Sequence, residues 1–279
     1  GKHYPGESLP RWKLEVIGRR DGAEVWRGPI GVPDPKAPYT VAQAARLADA
    51  IARRLGLAGF VSPAFEDPWR YLQEEESLPV DVDPLKADLK SPEERRRLAK
   101  VLDRGLQTEV GFVLPLARTN VGWASERWSL RRGHIFLIPG DSPMGLRLPL
   151  RSLAVPILPY PQIVEEPYEP ADPRRKAELE AEAARQQKYH AEFGPSGYGL
   201  TSVRTALCVE PRDGALYVFL PPVPRAADFL LLVDAIDKAR FDADLPNPDR
   251  VILEGYPPPS DPSFYRIAVT PDPGVLEVN

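Results

Sequence analysis

The chain predicts an α+β fold with largely antiparallel sheets and flanking helices, and three observations carry that expectation. From Val203 onward the patterning runs strand, strand, helix, strand, strand, strand, an order dominated by hairpins with few crossovers. Asp213-Gly214 separates two apolar-rich runs, the signal of a two-residue hairpin turn. Residues 40–57, TVAQAARLADAIARRLGL, place Ala44, Leu47, Ala48, Ile51 and Leu55 at helical spacing behind a Thr40 cap.

The other elements follow from the same signals. WKLEVIGRR (12–20) alternates as a strand, and Asp21-Gly22 before AEVWRG predicts an opening hairpin. DPWRYLQEEES (67–77) predicts a short helix, and SPEERRRLAKVLDRG (91–105) a longer one, with Ser91 and Glu94 spaced as a capping box and Pro92 in the first turn. EVGFVLPLAR (109–118), WASERWSL (123–130) and HIFLIP (134–139) read as strands. PILPYPQIVEEPYEPADP (156–173) is a proline-rich connector, and the helix-forming stretch that follows it is polar nearly all round. The organisation expected is therefore an N-terminal α+β region over 1–155, a connector with a polar helix over 156–200, and a strand-strand-helix-strand-strand-strand module over 201–279. The start at Gly1 and the strand-like ending GVLEVN read as cut edges of a longer protein.

Composition excludes several classes. A chain of 279 residues with 43% hydrophobic content buries an ordinary core. The net charge of −4 lacks the broad basic excess that general binding to nucleic acid or an anionic membrane needs, so neither is expected as a partner. No run approaches the roughly 18 apolar residues of a membrane span. One cysteine, Cys208, excludes an internal disulfide framework and makes the cytoplasm the expected compartment. There is no GxxxxGK, no GxGxxG after a strand, no HExxH and no GxSxG. Cys208 lies mid-strand among apolar neighbours, the usual place of an inert thiol.

Against the acidic total stands one basic stretch. Between Arg118 and Arg151 lie six arginines (118, 127, 131, 132, 147 and 151) and two acids, Glu126 and Asp141, a local charge of about +4. Guanidinium forks match phosphate or carboxylate, and the turn containing Asp141 and Ser142 offers backbone donors to an anion. The competing reading pairs these arginines with the seven acids of residues 66–83, and treats Asp141 and Ser142 as plain turn formers. A second candidate lies at the end of the chain. Strand alternation sends Val275, Glu277 and Asn279 to one face, two hard oxygen donors suited to Mg²⁺. Glu254 reaches that face if its strand neighbours this one, and Glu210 is a weaker further donor. Solvated strand-end acids are the plainer reading.

The strings GKHYPGESLPRW, LPVDVDPL, GFVLPLAR, SERWSLRRGHIFLIPGDSPMGLRLPL, VRTALCVEPRDGALYVFLPP, EGYPPPSDP and VTPDPGVLEVN together resemble a bacterial family of unknown function described as amidoligases. The resemblance spans nearly the whole chain apart from the connector near 165–200. It implies part of a glutamine-synthetase-like carboxylate-amine ligase, which uses ATP and Mg²⁺ to activate a carboxylate as an acyl phosphate for attack by an amine. It further implies Glu254, Glu277 and Asn279 as metal or nucleotide contacts. Arg127, Arg131, Arg132 and Arg147, with Asp141 and Ser142 in the adjoining turn, become phosphate or substrate-carboxylate contacts. The substrate expected is a small-molecule or peptide carboxylate, and the expected neighbour in the parent chain is a transglutaminase-like domain, whose thiol chemistry does not fall to Cys208. The family pattern continues beyond both ends of this sequence, so the resemblance implies an internal fragment, inactive when isolated. The alternative function is a non-catalytic module that presents peptide carboxylates to that neighbouring domain. A scaffold whose arginines only pair with residues 66–83 is the plainest reading.

Overall fold

The computed structural model describes residues 14–29, 31–67, 108–119, 121–130, 133–153, 203–272 and 275–278, with side chains as far as residue 269. The expected helices at 67–77 and 91–105 and the connector at 156–200 lie outside the described residues, apart from Asp67. Among the described residues the fold is α+β, with antiparallel and mixed sheets, two α-helices and no closed sheet.

The strands are β1 (Leu14–Arg19), β2 (Ser62–Glu66), β3 (Glu109–Pro115), β4 (Ala117–Thr119), β5 (Gly122–Ala124), β6 (Ile135–Leu137), β7 (Ala206–Arg212), β8 (Ala215–Leu220), β9 (Val251–Gly255), β10 (Phe264–Asp272) and β11 (Val275–Val278). The helices are α1 (Val41–Arg54) and α2 (Ala226–Asp242). Six strands form the central sheet in the order β6-β2-β3-β7-β8-β9. Its interior pairs are antiparallel, and the two outer pairs, β2 with β6 and β8 with β9, are parallel. A second sheet has the order β1-β10-β11, and β4 pairs with β5. Strands from before residue 155 and after residue 201 thus share both larger sheets.

Local chemistry accounts for the best-defined elements. Thr40 and Gln43 form a capping box at the start of α1, and Ala44, Leu47, Ala48 and Ile51 are buried on one side of it, as the spacing predicts. Asp213 and Gly214 both adopt positive φ, 50° and 84°, giving the right-twisted two-residue turn that joins β7 to β8. Alternation then divides the central sheet. Leu207 and Val209 of β7, with Leu216 and Val218 of β8, face the core shared with α1 and α2. Cys208 and Phe219 face the opposite side, where Val113, Ile135, Leu137, Met144, Leu148 and Trp128 make a second core. Helix α2 must bury charge as well as apolar surface, and it does so by pairing: Arg240 meets Asp237 at 2.9 Å and Asp249 at 2.7 Å.

Two strand expectations are corrected. The opening hairpin does not form. Gly22 does close a turn on Arg19, but β1 takes β10 as its ladder partner over six register pairs. Residues 23–28 run instead toward α2, where Trp26 packs on the core under Arg240 at 5.2 Å and Arg27 meets Asp234 at 2.9 Å. The strand expected at 123–130 ends at Ala124. Beyond it the side chains hold other segments: Ser125 donates to the Pro115 carbonyl at 2.5 Å, Glu126 accepts the Val203 N–H at 2.8 Å, and the Trp128 indole donates to the Val203 carbonyl at 2.7 Å.

Candidate functional site

Strand register brings a polar group onto the second face of the central sheet. Cys208 pairs with Phe219 and Phe219 with Glu254, so these three residues form one row across β7, β8 and β9. Glu210 and Tyr217 form the next row, and Arg212 follows Glu210 by one strand period. Arg212 bridges the two carboxylates, donating from Nη1 to Glu210 Oε1 at 2.8 Å and from Nη2 to Glu254 Oε2 at 2.5 Å. Its guanidinium lies 3.8 Å from the centre of the Tyr217 ring. Glu210 is buried and also accepts the Met144 N–H at 2.9 Å. Glu254 Oε1 is buried without a hydrogen-bond partner.

Burial sets the electrostatics of this cluster. Desolvation pushes the Glu254 carboxyl above the usual carboxylate range; Arg212 works against the shift and the Glu210 charge adds to it. Burial also raises Tyr217. For Cys208, burial first and the Glu210 and Glu254 charges second push the thiol well above its ordinary value, as expected of an inert cysteine. Burial opposes the charge on Arg212, yet Glu210 and Glu254 together hold its pKa above the ordinary arginine value.

The turn after β6 packs on this face. Met144 is fully buried in the second core, and its N–H is the group that meets Glu210. A Cβ on Gly145 would lie 2.0 Å from the Phe219 ring, so only glycine lets the loop sit this close. Asp141 and Ser142 are exposed at the head of this turn.

The arginines of the basic stretch go to different partners. Arg118 donates to Asp228 at 2.8 Å, Arg127 to the Gly59 carbonyl at 3.1 Å, and Arg147 to the Ile138 carbonyl at 2.7 Å and to the Glu66 carboxylate. Arg147 is therefore engaged inside the chain, and its partner is the first acid of the 66–83 stretch. Arg151 is exposed, and Arg131 and Arg132 lie outside the described residues.

Of the metal-ligand expectations, Glu254 belongs to the central sheet and Glu277 to β11 of the three-stranded sheet, where it pairs with Thr270. The two residues share no ladder. The Glu277 side chain and Asn279 lie outside what is described. Among the described residues no three His, Cys, Asp or Glu side chains group as metal ligands. The Glu210–Glu254 pair does not fit Mg²⁺ by itself either, because the Arg212 guanidinium stands between the carboxylates and Mg²⁺ calls for about six oxygens.

Arg212 and Tyr217 were not among the candidates read from the sequence, although the signal was present. In VEPRDGALY the turn at 213–214 fixes the register that sets Glu210 opposite Tyr217, and alternation sets Arg212 on the same side as Glu210.

A family model described as "Putative amidoligase enzyme (DUF2126)" matches residues 1–279, the whole chain. The chain belongs to this family. The amidoligase description gives the reaction class, an amide-bond ligase. No curated protein and no solved structure matches significantly. No helix among the described residues is long and apolar enough to cross a membrane.

Proposed function

We propose that the chain forms part of an ATP- and Mg²⁺-dependent carboxylate-amine ligase that makes amide or isopeptide bonds on an amino-acid or peptide substrate in the cytoplasm. The match of all 279 residues to an amidoligase family supports the reaction class. The observation that carries the location is the Glu210–Arg212–Glu254 bridge on the second face of the central sheet. When bound, MgATP supplies the phosphoryl group that converts the substrate carboxylate into an acyl phosphate. The chain's own contribution is positional and electrostatic. The exposed Asp141-Ser142 turn is seated on the same sheet face through Met144 and Gly145. Arg127, Arg131 and Arg132 are the proposed contacts to phosphate or substrate carboxylate. Arg147 supports the loop from inside through Glu66 and Ile138. Glu277 and Asn279 remain the proposed metal contacts.

The test is calorimetric titration of MgATP into the full parent protein, beside Glu277→Ala and an Arg131→Ala/Arg132→Ala double variant, with ADP release measured in the presence of mixed amino acids. Saturable binding that both variants lose, with ADP released, is the expected result. A well-folded parent that neither binds MgATP nor releases ADP overturns the reading.

A further inference from the structure

We propose that Glu254 receives the amine co-substrate of the ligase, its free Oε1 accepting an N–H from a primary ammonium group at the edge of the central sheet. The proposal rests on the ligase reading for the identity of the ligand and on the cluster's charge for its class.

The cluster has two carboxylates and one guanidinium. With Glu254 ionised its net charge is −1, and the Arg212 charge is already shared between Glu210 at 2.8 Å and Glu254 at 2.5 Å. An incoming phosphate or carboxylate would add a third negative charge beside two existing ones. A cationic N–H donor has the opposite balance, since it neutralises the cluster without disturbing Arg212. Of the two substrates that an amide ligase joins, only the amine suits these charges.

The acceptor is specific. Glu210 Oε1 takes both the Met144 N–H and Arg212, and Glu254 Oε2 takes Arg212, whereas Glu254 Oε1 is buried with no partner. A buried acceptor without a donor is destabilising, more so when it is charged, so a donor brought by a ligand gains over one placed in water. A single such oxygen suits one N–H better than Mg²⁺, which would also sit against the Arg212 guanidinium.

Glu254 lies on a strand at the margin of the sheet. β9 is the outer strand of the central sheet, and 18% of the Glu254 side chain remains exposed. Gly255 turns the chain at positive φ immediately afterwards, where a Cβ would lie 2.6 Å from the Leu220 carbonyl. Tyr256 then stands edge-on to Phe219. Burial, which raises the Glu254 pKa, also makes this carboxylate a better proton acceptor than a solvated one. The bound ammonium has a proton to lose before its nitrogen can attack an acyl carbon, and Glu254 is placed to take it.

The test uses thermal unfolding and calorimetry of the full parent protein at constant ionic strength, with methylammonium as the probe and tetramethylammonium, which has no N–H, as its control. Acetate, inorganic phosphate and Mg²⁺ are run alongside, and Glu254→Gln is compared under every condition. Saturable stabilisation by methylammonium but not tetramethylammonium is expected, weakened about tenfold or more in Glu254→Gln, the scale of one charge-assisted hydrogen bond. Glu254→Gln should unfold cooperatively in the absence of ligand, as the parent does. Equal responses to the two ammonium ions overturn the proposal, as does an unchanged methylammonium response in Glu254→Gln. So does acetate, phosphate or Mg²⁺ binding that depends on Glu254 while methylammonium binding does not. A parent that binds methylammonium through Glu254 but never binds MgATP supports the N–H site and overturns the ligase reading alone.

Discussion

Arg147 and Glu66 form an ion pair inside the protein, with 9% and 6% of their side chains exposed. Removing one member of a buried pair costs about 3–5 kcal/mol, because the other charge stays in a poorly solvated place. Arg147→Ala is therefore expected to lower stability by that order in a urea titration. Replacing both, as Glu66→Gln with Arg147→Met, should recover much of the loss. A double variant as unstable as the single one would mean that the pair's charge is not what matters there.

Asp228, 1% exposed at the start of α2, accepts from Arg118 at 2.8 Å and from Arg225 at 2.9 Å. The two arginines differ in burial, Arg118 being inside and Arg225 two-fifths exposed. Arg118→Ala is expected to cost about 3–5 kcal/mol, and Arg225→Ala about 1 kcal/mol or less. Chemical denaturation of both variants checks the order, and equal losses would contradict it.

Glu254 should leave a signature in the pH dependence of stability. Its folded pKa is raised above the ordinary 4.5, so folding favours the protonated form. That contribution is complete below the unfolded value and is lost as pH rises through the raised folded value. Glu254→Gln does not titrate. Its melting temperature relative to the parent should therefore climb between pH 4 and neutrality. A difference that stays flat across this range would show that Glu254 titrates normally.

Gly145→Ala places a methyl 2.0 Å from the Phe219 ring. Overpacking of this kind costs about 1–3 kcal/mol. In a Phe219→Ala background, which lacks the clashing Cγ, Cδ1 and Cε1, Gly145→Ala should cost less, measured by thermal unfolding. A neutral Gly145→Ala would mean that the loop can lift off the sheet.

Cys208 is buried, and its thiol pKa is held well above 9.0. A thiol-directed alkylating agent at pH 8 should label the native protein negligibly and the denatured protein fully, as read by intact mass. Rapid native labelling would place Cys208 at a surface.

The sequence by itself determined what depends on near neighbours in the chain. Thr40 with Gln43 and the spacing of Ala44, Leu47, Ala48 and Ile51 specify α1, because capping and a 3.6-residue period are local. Asp213-Gly214 specifies the β7–β8 hairpin, because positive φ at adjacent positions selects one turn. The inertness of Cys208 was legible from its apolar strand neighbours. Only the tertiary structure decided which distant segments meet. WKLEVIGRR reads as a strand, but its partner turned out to be β10, some 250 residues away, and not AEVWRG. Glu254 reads as an exposed strand acid until the crossover through α2 lays β9 parallel to β8 and sets it against Arg212. Arg147 reads the same as Arg151, yet one turns inward to Glu66 and the other stays outside. The physical reason is common to all three: the two periodicities assign a residue to a face, whereas pairing and charge burial depend on what the rest of the chain places opposite that face.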